Sequence, residues 1–220
     1  MAELEPVYEQ RFSARENERK DRLWVEISRY LQRYVDPAST VLDIGCDQGA
    51  FIRNIAAREK WATDVRDVSA ALGPEIRFVQ TDGLGLGGRL PTAHFDLVFM
   101  SNYLEHLPSK DAVIDQLAVA AALLRPGGRL LVLQPNIRFT GPSYWDFIDH
   151  KVALTERSLV EAAESVGLRT VRLVPRFLPY TTKSRLPQSP ALVRLYLAIP
   201  AAWRVLGAQT LYLGERPRVA

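Results

Sequence analysis

The sequence predicts an α/β protein in which a mostly parallel, seven-stranded sheet is covered by helices on both faces. Apolar runs of strand length alternate along the chain with segments whose apolar residues recur at helical spacing. The run at residues 41–44 is apolar except for one acid and ends in a glycine-rich turn. Near-continuous apolar runs of this kind form strands that are buried on both faces of a parallel sheet.

The N-terminal residues are predicted to form a helical segment that precedes the sheet. Residues 3–35 are rich in charge, and apolar side chains recur there at helical spacing. The helical pattern ends near Asp36 and Pro37. We therefore divide the chain into an N-terminal helical segment, residues 1–38, and one α/β domain, residues 39–220. The 220-residue chain is long enough to bury a substantial core.

Seven strands and several helices are predicted beyond this segment. A helix is expected directly after the first strand, starting near Gly49, and another at residues 112–124. A third begins at the N-cap Thr155 and stops at Gly167. The basic and apolar stretch 176–208 is predicted to be a helical insertion before the last strand. The strands are placed at residues 41–44, 61–65, 76–80, 95–100, 129–134, 168–174 and 210–213.

The turn after the first strand carries the strongest functional signal. Gly45 and Gly49 remove side chains where the backbone must turn sharply and approach a ligand closely. Asp43 precedes the turn, where its carboxylate can brace the loop or meet a cationic group. A strand, a glycine turn and a helix form a generic nucleotide-binding element. A dinucleotide site needs two further glycines, where this chain has Asp47 and Ala50, so a nicotinamide enzyme is not expected.

The segment VLDIGCDQGAF, residues 41–51, resembles the first motif of class I S-adenosylmethionine-dependent methyltransferases. Asp47 departs from the family pattern, because it stands where the middle of three glycines usually lies. It either weakens cofactor binding or holds the ammonium group of the cofactor. The resemblance implies a Rossmann-like fold and S-adenosyl-L-methionine as the cofactor, held at this turn by Asp43, Gly45, Cys46, Asp47 and Gly49.

Residues after the next three strands match positions that the same family uses. Asp64 ends the second strand, and the resemblance implies that its carboxylate binds the ribose hydroxyls of the cofactor. Asp82 and Gly83 follow the third strand, where the family contacts the adenine. Ser101 and Asn102 follow the fourth strand, beside the expected cofactor. Because ligands bind across the carboxyl ends of parallel strands, these residues are expected to lie together.

The stretches FDLVFMSNYLEHL and LLRPGGRLLVLQPN, residues 95–107 and 123–136, resemble the fourth and fifth strands of that family. The first stretch contains His106, just past the carboxyl end of its strand. Transfer of a methyl group to a hydroxyl requires alignment of the acceptor and removal of its proton. Histidine can accept a proton near neutral pH, so His106 is the first candidate catalytic base and His150 the second. His106 could instead only pack against its loop or orient it.

The connection after the fifth strand suggests a substrate class. Its aromatic and acidic side chains can stack on a sugar ring and bind its hydroxyls, or the aromatics can simply close the core. The acids and His150 lack a metal-ligand spacing, and we predict no metal site. With SLVEAAESVGL after it, the connection resembles bacterial methyltransferases of polysaccharide and glycan pathways, which implies O-methylation of a sugar or other small-molecule hydroxyl. The residues concerned are Tyr144, Trp145, Asp146, Phe147 and Asp149.

Composition narrows the partners and the location. A net charge of +3 is mild, so a nucleic-acid partner is not expected, although the C-terminal part is basic. The one cysteine, Cys46, excludes an internal disulfide. Residues 1–11 lack the apolar core of a signal peptide and no apolar stretch is long enough to span a bilayer, so we expect a cytoplasmic protein.

Three alternatives stay open on the sequence alone. The first is a catalytically silent protein that binds the cofactor or a partner without transferring a methyl group. The second is a methyltransferase that acts on a lipid or a nucleic acid. The third concerns residues 176–208, which either cap the substrate pocket or make a peripheral contact with a membrane.

Overall fold

The computed structural model describes residues 14–180 and 189–218, with side chains from residue 18 onward. The helical predictions for residues 3–13 and 181–188 lie outside this part of the chain. The described residues form seven strands: β1 (Thr40–Ile44), β2 (Glu59–Asp64), β3 (Ile76–Gln80), β4 (Phe95–Ser101), β5 (Leu124–Pro135), β6 (Arg169–Val174) and β7 (Gln209–Glu215). They also form the α-helices α1 (Ala14–Leu31), α2 (Lys110–Leu123), α3 (Ile137–Thr140), α4 (Glu156–Ser165), α5 (Pro190–Ala198) and α6 (Pro200–Leu206).

All seven strands belong to one sheet, in the order β3-β2-β1-β4-β5-β7-β6. The prediction of a mostly parallel sheet is wrong, because the sheet is mixed. Its pairings between β1, β2, β3, β4 and β5 are parallel, but both pairings of β7 are antiparallel. The chain enters β7 at Gln209, which pairs with Pro135 at the carboxyl end of β5, so β7 runs back toward the opposite edge.

No α-helix follows the turn after β1, which corrects a second expectation. A single 3-10 turn, Ile52–Asn54, stands in its place. Only nine residues, 50–58, separate Gly49 from β2, and three of them are buried as part of the core: Phe51, Ile52 and Ile55. The turn after β1 therefore lacks the helix N-terminus and the helix dipole that the sequence predicted.

Helices cover both faces of the sheet. On one face, α2 and α4 bury Leu117 and Leu159 in a core that contains Val98 of β4. On the other face, α1, α5 and α6 bury Leu31, Leu197 and Trp203 around Val41 and Phe99, together with other apolar side chains. None of the helices in the described parts of the chain is long and apolar enough to cross a membrane.

Thr155 is the N-cap of α4, as predicted. Its hydroxyl accepts a hydrogen bond from the Ser158 amide at 3.2 Å, and the Ser158 hydroxyl accepts one from the Thr155 amide at 2.9 Å. This reciprocal pair satisfies donors that the first helical turn leaves without intrahelical partners. Helix α4 therefore starts at a defined position directly after the connection that follows β5.

Candidate active site

The candidate site lies where the strand order of the sheet reverses. Strand β1 pairs with β2 on one side and with β4 on the other, so the connections leaving β1 and β4 diverge. In open α/β sheets, ligands bind in the crevice outside the carboxyl ends of the strands at such a point. The turn after β1, the end of β2 and the end of β4 all contribute to this crevice.

The glycines of the turn are required by its conformation. Gly45 and Gly49 have φ angles of +69° and +73°, in the region that favours glycine. The amides of Gly45 and Cys46 both donate to the carbonyl of Thr63 at 2.9 Å, which fixes the turn against β2. Cys46 is buried, and burial raises the pKa of its thiol, so this side chain packs as a neutral group.

Tyr103 crosses the crevice between two glycine positions. A Cβ atom at Gly45 would lie 2.5 Å from Cδ2 of Tyr103, and a Cβ atom at Gly83 would lie 2.0 Å from its hydroxyl oxygen. That hydroxyl donates to Gln116 at 2.9 Å. Burial, and then the charge of Asp82, raises the pKa of the Tyr103 hydroxyl, which keeps it a donor. The Tyr103 side chain therefore packs directly against both glycine positions and leaves no room there for a larger residue.

Asp64 ends β2 with a buried carboxylate that already has several partners. Its Oδ2 accepts a hydrogen bond from the Asp47 amide at 3.0 Å. Its Oδ1 accepts one from the Arg66 amide at 3.0 Å and one from Nε of Arg66 at 3.1 Å. The side chain is in the place expected for a ribose-binding acid. The Arg66 guanidinium, however, occupies oxygens that ribose hydroxyls would use.

Asp47 joins the turn to two cations. Its Oδ2 accepts from Nζ of Lys20 at 2.8 Å, and its Oδ1 accepts from Nη2 of Arg66 at 2.9 Å. Partial burial acts to raise the pKa of Asp47, but Lys20 and Arg66 together lower it below its usual value. Asp47 has a φ angle of +50°, a conformation that Asp tolerates better than most side chains. The result is a chain of ion pairs from α1 to the end of β2: Lys20, Asp47, Arg66 and Asp64.

Asp43 is buried under the turn. Burial, followed by the charges of Asp64 and Asp47, raises its pKa well above the usual value, although the Ile52 amide acts in the opposite direction. Three carboxyl groups therefore meet at the ends of β1 and β2. Asp47 and Asp64 are paired with Lys20 and Arg66, so a cationic ligand group placed here would compete with these two side chains for the carboxylates.

The remaining predicted cofactor residues lie along the same crevice. Asp82 is exposed, and its Oδ1 accepts a hydrogen bond from the Gly85 amide at 2.6 Å, so part of its role is to hold its own loop. Asn102 has a φ angle of +47°; its amide donates to Leu133 at 2.9 Å and its side chain to Ser101 Oγ at 3.0 Å. These bonds fix the end of β4 beside the start of the His106 loop.

His106 lies in a short 3-10 turn after β4 and contacts a buried acid. Its Nδ1 is 3.2 Å from the carbonyl oxygen of Asp149 and 3.4 Å from Oδ2 of the same residue. Its Nε2 is 3.9 Å from Oε1 of Glu105. Glu105 is fully buried, and within the described residues neither of its carboxylate oxygens has a hydrogen-bond partner. Burial raises the pKa of Glu105, and His106 opposes the shift.

His150, the second candidate base, lies beside His106, with ring centroids 5.1 Å apart. Its Nδ1 is 2.7 Å from the carbonyl oxygen of Tyr144, and the Tyr144 hydroxyl donates to the carbonyl of Val152. Tyr144 is fully buried. It therefore packs in the core, which is one of the two roles that the sequence suggested for the aromatic residues of this connection. Trp145 is 54% exposed and lies beside Asp146, which is also exposed.

Glu105, His106 and His150 bring three potential metal-ligand atoms within 4.8 Å of one another. Ligands to zinc lie about 2.1 Å from the ion, so two donors of one ion are at most about 4.2 Å apart. The cluster would have to contract before it could bind such an ion. The absence of a metal site stays a prediction, and the three groups form a compact polar cluster past the carboxyl end of β4.

Three residues of the crevice were not identified from the sequence. Arg66 lies two positions after Asp64 in the sequence. A cation so close to an acid that is expected to bind ribose could have indicated an ion pair between the two side chains. Tyr103 lies in the segment 95–107, which resembles the family, but nothing in the sequence indicated a role for it in catalysis or binding. Lys20 is 27 positions from Asp47, and nothing in the sequence links the two.

Comparison with known proteins gives the chain its family. A family model described as a methyltransferase domain matches residues 11–173. The ribosomal RNA large subunit methyltransferase E of Sorangium cellulosum is 30% identical over 158 residues, which cover 64% of this chain and 69% of that protein. The probable non-canonical nonribosomal peptide synthetase CymA of Salinispora arenicola is 31% identical over 102 residues. This alignment covers 42% of this chain and 1% of the length of that protein.

Solved structures share the fold. A SAM-dependent methyltransferase from Archaeoglobus fulgidus has a TM-score of 0.64 at 18% identity, over 86% of this chain and 92% of that chain. The N-methyltransferase NodS from Bradyrhizobium japonicum, in complex with S-adenosyl-L-homocysteine, has a TM-score of 0.57 at 17% identity, over 82% and 80%. The glycine turn after β1 and the acid that ends β2 occupy the positions expected for binding the same cofactor. The chain belongs to the methyltransferase domain family, and its cofactor is S-adenosyl-L-methionine.

Proposed function

We propose that the protein is an active methyltransferase that works in the cytoplasm and methylates a hydroxyl group of a sugar or similar small molecule. The observation that carries the proposal is the contact of His106 with Asp149 at the carboxyl end of β4. An acceptor hydroxyl must lose its proton during transfer, and this histidine lies at the sheet edge that holds the cofactor turn. The cofactor supplies a methyl group activated by its sulfonium.

The geometry of His106 suits a general base. Its Nδ1 faces the carbonyl and carboxylate oxygens of Asp149, which favour a proton on that nitrogen. Nε2 then carries the lone pair that can accept the proton of the acceptor. Once protonated, the ring gains from the Asp149 carboxylate, whose Oδ2 is 3.4 Å from Nδ1. The acid therefore orients the base and stabilises its charged form.

The connection after β5 supports a sugar as the acceptor. Trp145 and Ile148 are 54% and 82% exposed, and Asp146 beside them is exposed as well. An exposed indole can stack on the apolar face of a sugar ring, and a neighbouring carboxylate can accept hydrogen bonds from its hydroxyls. This connection leads directly to Asp149 and His150, so a sugar bound there would lie next to the proposed base.

An acceptor screen tests this function directly. The purified protein is incubated with S-adenosylmethionine and a panel of free and nucleotide-linked sugars, and S-adenosylhomocysteine and methylated product are measured by mass spectrometry. We expect a sugar product that carries one additional methyl group, on a hydroxyl oxygen, and is otherwise unchanged. Methylation of non-sugar acceptors alone would show that the proposed acceptor class is wrong.

A catalytically silent binding protein is the second candidate. The Arg66 guanidinium bonds both oxygens of Asp64, so the ribose must displace it or share the carboxylate. Calorimetric titration with S-adenosylhomocysteine separates the two candidates. If folded wild-type protein does not bind but the Asp47→Gly variant does, the silent protein is favoured, because glycine at this position removes the carboxylate that anchors Arg66.

RNA is the acceptor that one relative suggests. The protein from Sorangium cellulosum is named as a ribosomal RNA methyltransferase, and it aligns with 64% of this chain. The net charge of +3 gives little support for RNA binding. Incubation with purified ribosomal RNA and labelled cofactor tests the idea, since salt-sensitive incorporation of label into RNA would favour this acceptor over a sugar.

A further inference from the structure

Helices α5 and α6 expose an apolar surface that the catalytic proposal does not use. We call it the α5–α6 face and define it by Leu192, Leu195, Ile199, Val205 and Leu206. Their side chains are between 44% and 70% exposed, and Val205 is the most exposed of them. Single exposed apolar residues are ordinary, but a cluster on one small element marks an interaction site.

The exposure follows from how the two helices are held. Leu197 of α5 and Trp203 of α6 are buried in the core on this side of the sheet. The Trp203 indole also donates to the carbonyl of Tyr196 at 2.9 Å, which ties the helices to each other. With these anchors fixed inward, the α5–α6 face is directed outward. These two helices therefore carry apolar side chains both on the surface that packs against the core and on the surface that faces outward.

The described part of this region carries cationic side chains and no acidic ones of its own. Residues 176–180 and 189–208 contain Arg176, Arg194 and Arg204 and no Asp or Glu. Arg194 is paired with Glu26 of α1, with Nη2 2.7 Å from Oε1, whereas Arg204 is exposed on α6. Glu26 itself is buried, so the exposed charges on α5 and α6 are those of arginine side chains. An apolar surface whose exposed charges are cationic complements the headgroups and acyl chains of an anionic bilayer.

The α5–α6 face lies at the same edge of the sheet as the cofactor turn. Helix α6 leads into Gln209, which pairs with Pro135 at the carboxyl end of β5. Helix α5 is joined to α1 through the pair of Arg194 and Glu26, and α1 reaches the turn through Lys20. A surface that bound this face would therefore lie near the mouth of the candidate site.

An apolar cavity of about 370 Å³ opens beside α6. Phe139, Leu173, Pro200 and Trp203 contribute to its lining, with Arg176 and Arg204 as its cations. Arg176 lies over the Phe139 ring, 4.8 Å from its centroid. An apolar space with guanidinium groups suits an amphiphile that carries a negative headgroup and a hydrocarbon chain.

We propose that the α5–α6 face docks on a bilayer that contains anionic lipids, with α5 and α6 lying in the plane of the interface. At nine and seven residues they are too short to cross a bilayer, which needs about 20. The apolar side chains enter the acyl boundary, and the cations contact phosphate groups. This docking goes beyond the proposed methyl transfer and does not depend on it.

Vesicle flotation tests the docking. The full chain is mixed with vesicles of phosphatidylcholine alone or with added phosphatidylglycerol, and the floated fraction is measured at low and high salt. We expect flotation with the anionic vesicles and less at high salt. In the double variant Leu195→Glu, Val205→Glu, partitioning should fall by about tenfold or more, because two charges replace inserted side chains.

The control variant is Ile114→Glu. Ile114 is exposed on α2, which packs on the opposite face of the sheet, so its substitution should leave flotation unchanged. S-adenosylhomocysteine affinity and melting temperature of each variant establish that the fold and the cofactor site are intact, independently of lipid binding. Absence of flotation, equal flotation with neutral vesicles, or flotation that the double variant retains would each overturn the proposal. A dimer that the double variant converts to a monomer, without flotation, would identify a second copy of the chain as the occupant.

Discussion

Lys20 of α1 and Asp47 of the glycine turn form an ion pair, with 2.8 Å between Nζ and Oδ2. The pair connects the N-terminal helix to the turn that follows β1. Arg66 occupies the other oxygen of Asp47, and the same guanidinium bonds Asp64. The negatively charged groups of the cofactor turn are therefore largely neutralised by cations of the chain itself. A ligand that enters the site must compete with these cations or use them.

Asp64→Asn should weaken the binding of S-adenosylhomocysteine by about tenfold or more. The amide keeps the shape of the side chain but loses one acceptor oxygen and the charge that strengthens hydrogen bonds from ribose hydroxyls. Isothermal titration calorimetry gives the affinity, and thermal unfolding establishes that the variant is folded. Asp67→Asn is the matched control, because Asp67 lies on the surface and its hydrogen bonds within the described residues are to Ser69. Equal affinity in wild type and Asp64→Asn would contradict the assignment of this acid.

Arg66→Ala should tighten the binding of the same ligand by about three- to tenfold. Its guanidinium holds both oxygens of Asp64, and a ribose must displace these bonds before it can form its own. Arg53→Ala provides the control, since Arg53 lies at the same turn but pairs with Asp21. Weaker binding in Arg66→Ala would show that Arg66 supports the bound cofactor instead of competing with it.

The sequence predicted an element correctly where the apolar pattern and the neighbouring glycine and proline residues agree. It did not predict the bounds or direction of strands that depend on pairing with distant strands. Strand β3 was placed at its observed bounds, because Gly73 and Pro74 precede a compact apolar run. Strand β5 begins five residues earlier than predicted, since Leu124 pairs with Phe95 before the glycine turn. The antiparallel direction of β7 could not be predicted, because an apolar run is the same in both directions.

The candidate site shows the same division. Asp43 lies near the end of β1 and Asp64 is the last residue of β2, and both lie at one edge of the sheet, as the order of elements predicted. The expected helix after Gly49 fails because Phe51 and Ile52 are used as core residues over too short a connection. Lys20 could not be found, because its contact with Asp47 depends on how α1 packs against the sheet.

Gly45→Ala should lower the free energy of unfolding by roughly 1 to 3 kcal/mol. The new Cβ would lie 2.5 Å from the Tyr103 ring, and the φ angle of +69° disfavours any side chain. Gly87→Ala is the control, because a Cβ at Gly87 meets no atom within 4 Å. Urea unfolding of both variants measures the difference. A Gly45→Ala variant as stable as Gly87→Ala would show that the turn can relax away from Tyr103.

His106→Ala should reduce turnover by about 100-fold or more and leave cofactor affinity nearly unchanged. In the proposed mechanism the imidazole acts on the acceptor, whereas the residues expected to hold the cofactor lie mainly at the ends of β1 and β2. Steady-state kinetics with the acceptor from the screen and calorimetry with S-adenosylhomocysteine measure the two effects separately. Wild-type turnover in a folded variant would refute the base assignment.

Asp149→Asn should reduce turnover by a smaller factor than His106→Ala, because an amide can still contact Nδ1 but no longer stabilises a protonated ring. Steady-state kinetics and thermal unfolding together distinguish this positioning role from a packing role. We expect kcat to fall while the acceptor KM and the melting temperature stay near their wild-type values, because the substitution changes the partner of the base and not the binding of either ligand. A lower melting temperature with unchanged kcat would show that Asp149 only supports the loop.

Glu105→Gln should stabilise the protein at neutral pH and above, with little effect in acid. Burial raises the pKa of Glu105 above its ordinary value, so the folded state holds a proton that the unfolded state has released. The stabilising contribution of this group is complete below the ordinary pKa of 4.5 and is lost as the pH rises through the folded pKa. Above that pH the wild type must either ionise a buried group or hold a proton at a free-energy cost, and the amide avoids both. Melting temperatures of both proteins from about pH 5 to about pH 8 provide the measurement. A gap that stays constant over this range would contradict the assignment, because a packing effect does not depend on the protonation of Glu105.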